Sequence, residues 1–477
     1  MEKMKDRASR TTHHVMLLPF PAQGHISPML QFAKRLASKG LKITIATPTF
    51  MSKFVRVNQL GGSDVTVETI SDGFDGVPTI ENCNEFAKQF EAVGSQSLAR
   101  LIEQHSSSGY PVKCLVYDPT VQWALDVAKR LGICGAAFFT QSCAVHVIYD
   151  HAYQHQGILL NTTTSDDDQV EGRGGVVSIP GVPIALEFQD MPSFLYQVGP
   201  YQSIKDSVLN QFSNYQEPDW RFFNSFDKLE YEVVSWMTSQ RPIKTKTVGP
   251  TVPSMYLDKR LEDDKDYGFT LFKSNPEACI QWLNTKEIGS VVYVSFGSLA
   301  SPGEEQMEEL AWGLKSSNAC FLWVVRASEE SKLPGSFVEE TLEKGLVVNW
   351  CPQLQVLAHQ AVGCFVTHCG WNSTLEALSL GVPIVAMPEW TDQPTNAKYI
   401  ADVWQVGIRV KVNEKGIVTR QEIELCIREV MEGERGNELR MNSRRWKELA
   451  KEAVDEGGSS DKNIDEFVAE LAHMNLI

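Results

Sequence analysis

The sequence predicts an α/β protein built from two doubly wound domains in series, and three observations carry that prediction. Short apolar strands alternate with amphipathic helices from residue 14 onward. The alternation stops around Gly249-Pro250, and it restarts at Ser290. A chain of 477 residues is also too long for one ordinary hydrophobic core.

The first unit is the apolar run His14 to Phe20, then the turn Pro21-Ala22-Gln23-Gly24-His25-Ile26, then a helix from Ser27 to Lys39. Ser27 reads as its N-cap and Pro28 as its first helical residue. Met29, Phe32, Ala33 and Leu36 form its apolar stripe, and Gly40 is its stop. Leu41 to Thr47 alternates and is β-branched, as a second strand requires. The pattern recurs as a strand at Cys114 to Tyr117, a helix at Val121 to Leu131, a strand at Ile133 to Phe139 and a helix after Ser142. Strands that alternate with helices imply a parallel sheet covered on both faces. Asn161 to Gly175, rich in Thr, Asp and Gly, reads as a mobile surface loop.

Thr251 to Tyr267 is charged and without period, which sets the expected boundaries: a first domain at 1–250, a linker at 251–275 and a second domain at 276–477. In the second domain Ser290 to Ser295 is a strand, Glu304 to Leu314 a helix and Cys320 to Val325 a strand. Ligands of open α/β sheets bind beyond the carboxyl ends of the strands, so two such domains facing each other are expected to enclose a cleft.

Composition removes several classes of function. Forty-three per cent hydrophobic and 22% charged residues is the balance of a globular chain, and a net charge of −16 speaks against a nucleic-acid partner. The polar start and the short run Val15 to Phe20 supply neither a signal peptide nor a membrane-inserting helix, so a cytoplasmic protein is expected. In that compartment the ten cysteines read as reduced and buried. The sequons at Asn161 and Asn372 then carry no glycosylation meaning.

Chemistry concentrates between Trp350 and Gln393. Cys364 to Thr367 reads as a buried strand, His368 to Asn372 as a glycine-containing turn, and Ser373 or Thr374 as the start of a helix that stops at Gly381. A strand that feeds a tight turn into a helix N-terminus offers N–H groups and the positive end of the dipole, which suits a diphosphate. In the first domain His25 follows the first strand, and Asp118 ends another strand of the same sheet. A histidine oriented by a carboxylate can take a proton from a hydroxyl at neutral pH.

The segment from Trp350 to Gln393 resembles the signature box of the plant UDP-dependent glycosyltransferases, which opens on Trp and closes on Asp-Gln or Glu-Gln. The resemblance extends over nearly the whole chain, including Pro21-Ala22-Gln23-Gly24-His25 and Ser295-Phe296-Gly297-Ser298. It implies the GT-B fold, two Rossmann-like domains with the acceptor held mainly by the first and the nucleotide sugar mainly by the second. By position it makes Trp350 the platform for uracil and the backbone of Cys351 the partner of its edge. Most members of the family carry Ala after the Trp. A main-chain contact tolerates Cys there. Gln353 and Glu376 fall on the ribose hydroxyls. Ser298, His368, Asn372 and Ser373 fall on the diphosphate, with the backbone of Gly370 and Trp371. Asp392 and Gln393 fall on the sugar hydroxyls, and Thr140 on a weaker sugar contact. His25 and Asp118 match the catalytic pair.

The activity so implied is inverting transfer from a UDP-sugar, with UDP-glucose indicated by Gln393, to a hydroxyl or carboxyl of a small hydrophobic plant metabolite. Phe188 to Leu195 resembles a stretch in the branch that acts on small acids, phenolics, and steroid or triterpenoid alcohols. Its apolar side chains fit a pocket wall and a packed core equally well. A monomer that needs no metal is expected. His359, Cys364, His368 and Cys369 fit no common zinc spacing, and Asp166-Asp167-Asp168 reads as a solvated charge run. The competing readings are a Rossmann-type oxidoreductase and an inactive nucleotide-sugar-binding protein. The first lacks a Gly-x-Gly-x-x-Gly after the first strand; the second would require damage at His25 or Asp118, and both are present.

Overall fold

The computed structural model describes residues 13–56, 64–74, 82–155, 175–196, 202–240, 243–272 and 276–474. Fifteen strands occur among them. In chain order they are β1 (His14–Leu18), β2 (Lys42–Pro48), β3 (Val65–Ile70), β4 (Val112–Tyr117), β5 (Cys134–Phe139), β6 (Val176–Val177), β7 (Leu186–Glu187), β8 (Trp220–Phe223) and β9 (Lys244–Thr247). Then follow β10 (Val291–Ser295), β11 (Cys320–Val324), β12 (Gly345–Val348), β13 (Val362–Thr367), β14 (Ile384–Ala386) and β15 (Gly407–Arg409).

The chain forms two compact units. The first gathers Met1–Thr140, Val198–Thr270 and Ala453–Ile477, and the second Gln141–Gln197 and Leu271–Glu452. The sheet of the first unit runs β3-β2-β1-β4-β5-β8-β9, and that of the second β12-β11-β10-β13-β14-β15. All neighbouring strands in both sheets pair in parallel. That pairing explains strands such as β1, β5 and β10, in which every residue is buried: helices cover both faces. β6 and β7 form a separate antiparallel pair.

Strand order fixes where a ligand can bind. Each sheet starts in its middle, grows one way and then reverses, with the reversal between β1 and β4 in the first and between β10 and β13 in the second. At such a point the connections leave on opposite faces and open a crevice beyond the strand ends. His25 follows β1 and Asp118 follows β4; Ser298 follows β10 and His368 follows β13.

The units depart from the expected boundaries of 1–250, 251–275 and 276–477. Residues 141–155 and 175–196 pack with the second unit, whereas 251–270 stay with the first. The stretch 251–270 is charged because it pairs, not because it is a loose linker. Asp264 accepts from Lys34 Nζ at 2.8 Å with both side chains almost fully buried, and Arg35 holds Asp258 in a two-pronged ion pair. Residues 453–474 return to the first unit, where Phe467, fully buried, packs edge-on against Trp220 and Phe222 at 5.4 and 5.0 Å.

Two helix starts are corrected. The first helix is Gln23–Ser38, so His25 lies in its first turn rather than in a loop, the N-cap position is Ala22, and Pro28 lies inside the helix. Pro28 sits in the second turn, past the positions whose N–H groups go unbonded, so the helix forgoes the rung that would run from residue 28 to residue 24. The helix after β13 is Trp371–Leu380, beginning before Ser373 because Gly370 takes the cap position; it ends at Gly381 with φ 74°, as expected. The loop read at Asn161 to Gly175 and the Asp166–Asp168 run lie outside the described residues, Gly175 excepted.

Candidate active site

At the edge of the first sheet, Asp118 is 1% exposed and its two oxygens have different partners. Oδ2 lies 2.6 Å from His25 Nδ1. Oδ1 accepts from the Thr120 backbone N–H at 3.0 Å and from the Thr120 hydroxyl at 2.7 Å. Thr140 Oγ1 is 3.2 Å from the same His25 Nδ1. A carboxylate only accepts, so this arrangement selects the tautomer with the proton on Nδ1, and the lone pair sits on Nε2. His25, Asp118 and Thr140 thus come together. Thr120 was missed, and its signal was the Asp-Pro-Thr order: an aspartate before a proline-started turn accepts from the residue two further on.

At the edge of the second sheet, the His368 ring sits between two glycines. A Cβ on Gly297 would stand 2.8 Å from its Cε1, and one on Gly370 2.6 Å from its Nε2. Gly297 also has φ +70°, so both space and backbone exclude a side chain there. Burial pushes the His368 ring down to about 4; the Ser295 backbone opposes that shift and nearby Arg326 adds to it. His368 is therefore neutral at physiological pH. Cys369 takes φ 66°, which turns the chain from β13 into the Trp371–Leu380 helix, and the first N–H groups of an α-helix have no intrahelical acceptor.

Other expected residues also lie in this unit, and five side chains of it form one connected set. Gln353 Nε2 donates to Glu376 Oε2 at 2.7 Å and Ser373 Oγ at 3.0 Å, while its Oε1 accepts from the Tyr293 hydroxyl at 3.0 Å. The Cys351 thiol points inward to within 3.3 Å of the same hydroxyl, and burial raises its pKa. Trp350 is stacked with Phe272 at 4.1 Å. Asp392 accepts from the Thr391 hydroxyl at 2.5 Å and from Asn396 Nδ2 at 2.7 Å. Gln393, 4% exposed, spends its Oε1 on the backbone N–H groups of Glu389 and Trp390 at 2.9 and 3.0 Å, so only its NH2 end is left to face a ligand.

Asn396 was also missed. It donates to the Cys369 carbonyl at 3.0 Å as well as to Asp392, and so joins the turn after β13 to the turn after β14. Of the four residues weighed as a metal cluster, Cys364 and Cys369 are fully buried in the strand and the turn. Among the described residues no group of three or more His, Cys, Asp or Glu could hold a metal ion.

Two parallel sheets in one chain, each reversing its order at the point where polar side chains gather, are the architecture of the GT-B glycosyltransferases. The family model described as UDP-glucoronosyl and UDP-glucosyl transferase matches residues 263–448, and that of the glycosyltransferase N-terminal domain matches residues 12–172. The chain is 49% identical over 459 residues to mogroside I-E synthase of Siraitia grosvenorii, covering 96% of this chain and 98% of the relative. It is 49% identical over 467 residues to UDP-glycosyltransferase 74E2 of Arabidopsis thaliana, covering 96% and 99%. The crystal structure of Os79 from O. sativa in complex with UDP superposes with a TM-score of 0.86 at 42% identity, covering 96% of this chain and all of that one. The chain belongs to the plant family 1 UDP-glycosyltransferases and is a UDP-glycosyltransferase.

Proposed function

We propose that the chain transfers glucose from UDP-glucose, with inversion, to a hydroxyl or carboxyl of a small hydrophobic plant metabolite of the steroid, triterpenoid, phenolic or aromatic-acid class. The observation that carries the mechanism is the 2.6 Å contact between His25 Nδ1 and Asp118 Oδ2 at the strand-order reversal of the first sheet. His25 Nε2 takes the acceptor proton, the acceptor oxygen attacks the anomeric carbon from the face opposite UDP, and the bond to UDP breaks with its electron pair. Asp118 stabilises the imidazolium that forms.

Negative charge on the departing diphosphate is met by Ser298, by neutral His368, by Asn372 and Ser373, and by the start of the Trp371–Leu380 helix with the backbone of Gly370 and Trp371. In this reading no divalent ion takes part. Trp350 and the Cys351 backbone hold uracil, Gln353 and Glu376 the ribose, and Asp392, Gln393 and Thr140 the sugar.

The acceptor range draws on the relatives. One is a mogroside I-E synthase, another is a flavonol 7-O-beta-glucosyltransferase of Arabidopsis thaliana, and Os79 has been crystallised with UDP and deoxynivalenol-3-glucoside. No helix among the described residues is long and apolar enough to cross a membrane. The same proposal takes the chain to act as a monomer in the cytoplasm. The test is a screen of one acceptor from each class with UDP-glucose, UDP-galactose and UDP-xylose, read by mass spectrometry with and without excess EDTA. Glucosylated product at an undiminished rate in EDTA is expected. Loss on chelation restored by Mg²⁺, or a faster reaction with another sugar, would overturn the reading.

A further inference from the structure

The turn after β14 contains a strained residue at the point where the sugar is expected to bind. Thr391 has φ 55°, in the left-handed region that a β-branched side chain adopts only under constraint. Its neighbours are Trp390 on one side and Asp392 and Gln393 on the other. The Thr391 hydroxyl also holds the Asp392 carboxylate, so the Thr391 backbone angle sets where that carboxylate points.

What holds Thr391 there is a segment far away in sequence. The Thr391 N–H donates to Ser193 Oγ at 2.8 Å, and the Ser193 N–H donates back to the Thr391 carbonyl at 2.8 Å. Ser193 is 1% exposed. The rest of its segment is fastened to the same part of the second unit. The Thr395 hydroxyl donates to the Asp190 carbonyl at 2.7 Å, Arg409 pairs with the Asp190 carboxylate and donates to the Gln189 carbonyl at 3.1 Å, and Phe194 packs edge-on against Trp390 at 5.7 Å. The stretch Phe188 to Leu195, whose apolar side chains fit a pocket wall and a packed core equally well, therefore directs its polar groups to Thr391, Thr395 and Arg409.

We propose that Ser193 is a positioning residue for the donor sugar: its reciprocal bonds to the Thr391 backbone hold the Trp390–Gln393 turn in the left-handed conformation that aims Asp392 and the Gln393 amide at the sugar hydroxyls. This rests on the reading that Asp392 and Gln393 contact the sugar. It restricts the effect of Ser193 to the sugar half of the donor, because uracil, ribose and diphosphate are assigned to other residues.

The experiment uses the full-length enzyme as Ser193→Ala, Thr391→Gly, the double variant and Asp392→Ala. Affinity for UDP and for UDP-glucose is taken by calorimetry, beside KM for one acceptor and the melting temperature. Ser193→Ala should weaken UDP-glucose about five- to twentyfold, because the strained turn at Thr391 is then free to relax, while UDP affinity and acceptor KM change less than twofold. With Thr391→Gly already present, Ser193→Ala should change UDP-glucose affinity less than twofold, because glycine holds a positive φ without a clasp. Equal weakening of UDP and UDP-glucose, or the same Ser193→Ala effect in both backgrounds, would refute the proposal and leave Ser193 a merely structural residue. If Ser193→Ala does not fold, Ser193→Cys keeps the volume with a weak acceptor and is read in the same way. The Asp392→Ala arm separates the two layers. If it alters the preference for UDP-glucose over UDP while Ser193→Ala does not, the clasp alone is wrong; if it does not, the sugar assignment falls and the clasp with it.

Discussion

Replacing Asp118 with asparagine keeps the size of the side chain, yet it should cost almost as much activity as removing His25. The reason is Thr120. Its backbone N–H and hydroxyl both donate to Asp118 Oδ1, at 3.0 and 2.7 Å, so an asparagine will place its carbonyl oxygen there. Its NH2 group then faces His25 Nδ1 at the position now taken by Oδ2, 2.6 Å away. Nδ1 must become an acceptor, the ring proton moves to Nε2, and the nitrogen that should take the acceptor proton is blocked. To restore the base, the buried amide must lose its partner, at about 1–3 kcal/mol, and the imidazolium no longer has a charge-assisted bond, a further loss of about 1.5–3 kcal/mol. At 1.36 kcal/mol per decade the sum corresponds to a fall in kcat on the order of 10²–10⁴-fold. The assay is kcat on an alcohol acceptor, with a carboxylic acid as control and UDP affinity by calorimetry. The carboxylic acid is already ionised at pH 7, needs no base and should be far less affected. Asp118→Asn within tenfold of wild type on the alcohol, or an equal loss on both acceptors, would refute the tautomer argument.

Three further outcomes are expected. Gly297→Ala places a Cβ 2.8 Å from His368 at φ +70°, so UDP affinity should fall at least about tenfold, measured by calorimetry, and near-normal binding would show that the ring is not held by this contact. Burial pushes His14 down to about 4, against 6.5 when unfolded, so the unfolded chain takes its proton first and stability falls as pH drops from about 6.5 towards 4. His14 should account for a loss of about 2 kcal/mol between pH 7.5 and pH 5. Denaturant melts of His14→Gln should therefore lose less than wild type over that interval, and parallel losses would exclude His14 as the cause. Phe467→Ala removes a fully buried ring from its contacts with Trp220 and Phe222 and should destabilise the first unit by about 3–5 kcal/mol, read as a lowered unfolding midpoint.

Periodicity made the strands and helices legible, because a parallel sheet demands nearly unbroken apolar strands and helices with one apolar stripe. The match between the motif and a known family singled out His25, Asp118 and the Trp350–Gln393 set as candidates, and the structure brings His25 and Asp118 into contact. Helix starts were less so. Ser27 followed by Pro28 has the composition of a cap, yet the chain begins the helix at Gln23, since the turn that carries His25 is itself helical. Thr120, Asn396 and Ser193 were hidden for another reason: Thr120 and Asn396 hydrogen-bond Asp118 and Asp392, Ser193 bonds the backbone of Thr391 beside Asp392, and small polar side chains in loops have no period that marks such a partner. The charge of 251–270 was misleading for the same reason, since Asp258 and Asp264 are buried against Arg35 and Lys34 more than 200 residues earlier.

The division of the chain between its two units bears on how the enzyme is made. The first unit is assembled from three stretches, the last of them starting at Ala453, so its sheet stays uncovered at Trp220 and Phe222 until the final helix, Ser459–His473, has been synthesised. A ribosome will have released most of the second unit before the first can close. Exchanging halves between relatives at residue 250 would therefore mismatch that late helix with the surface it covers. A chimera that carries residues 453–477 along with its own N-terminal half keeps the pairing intact.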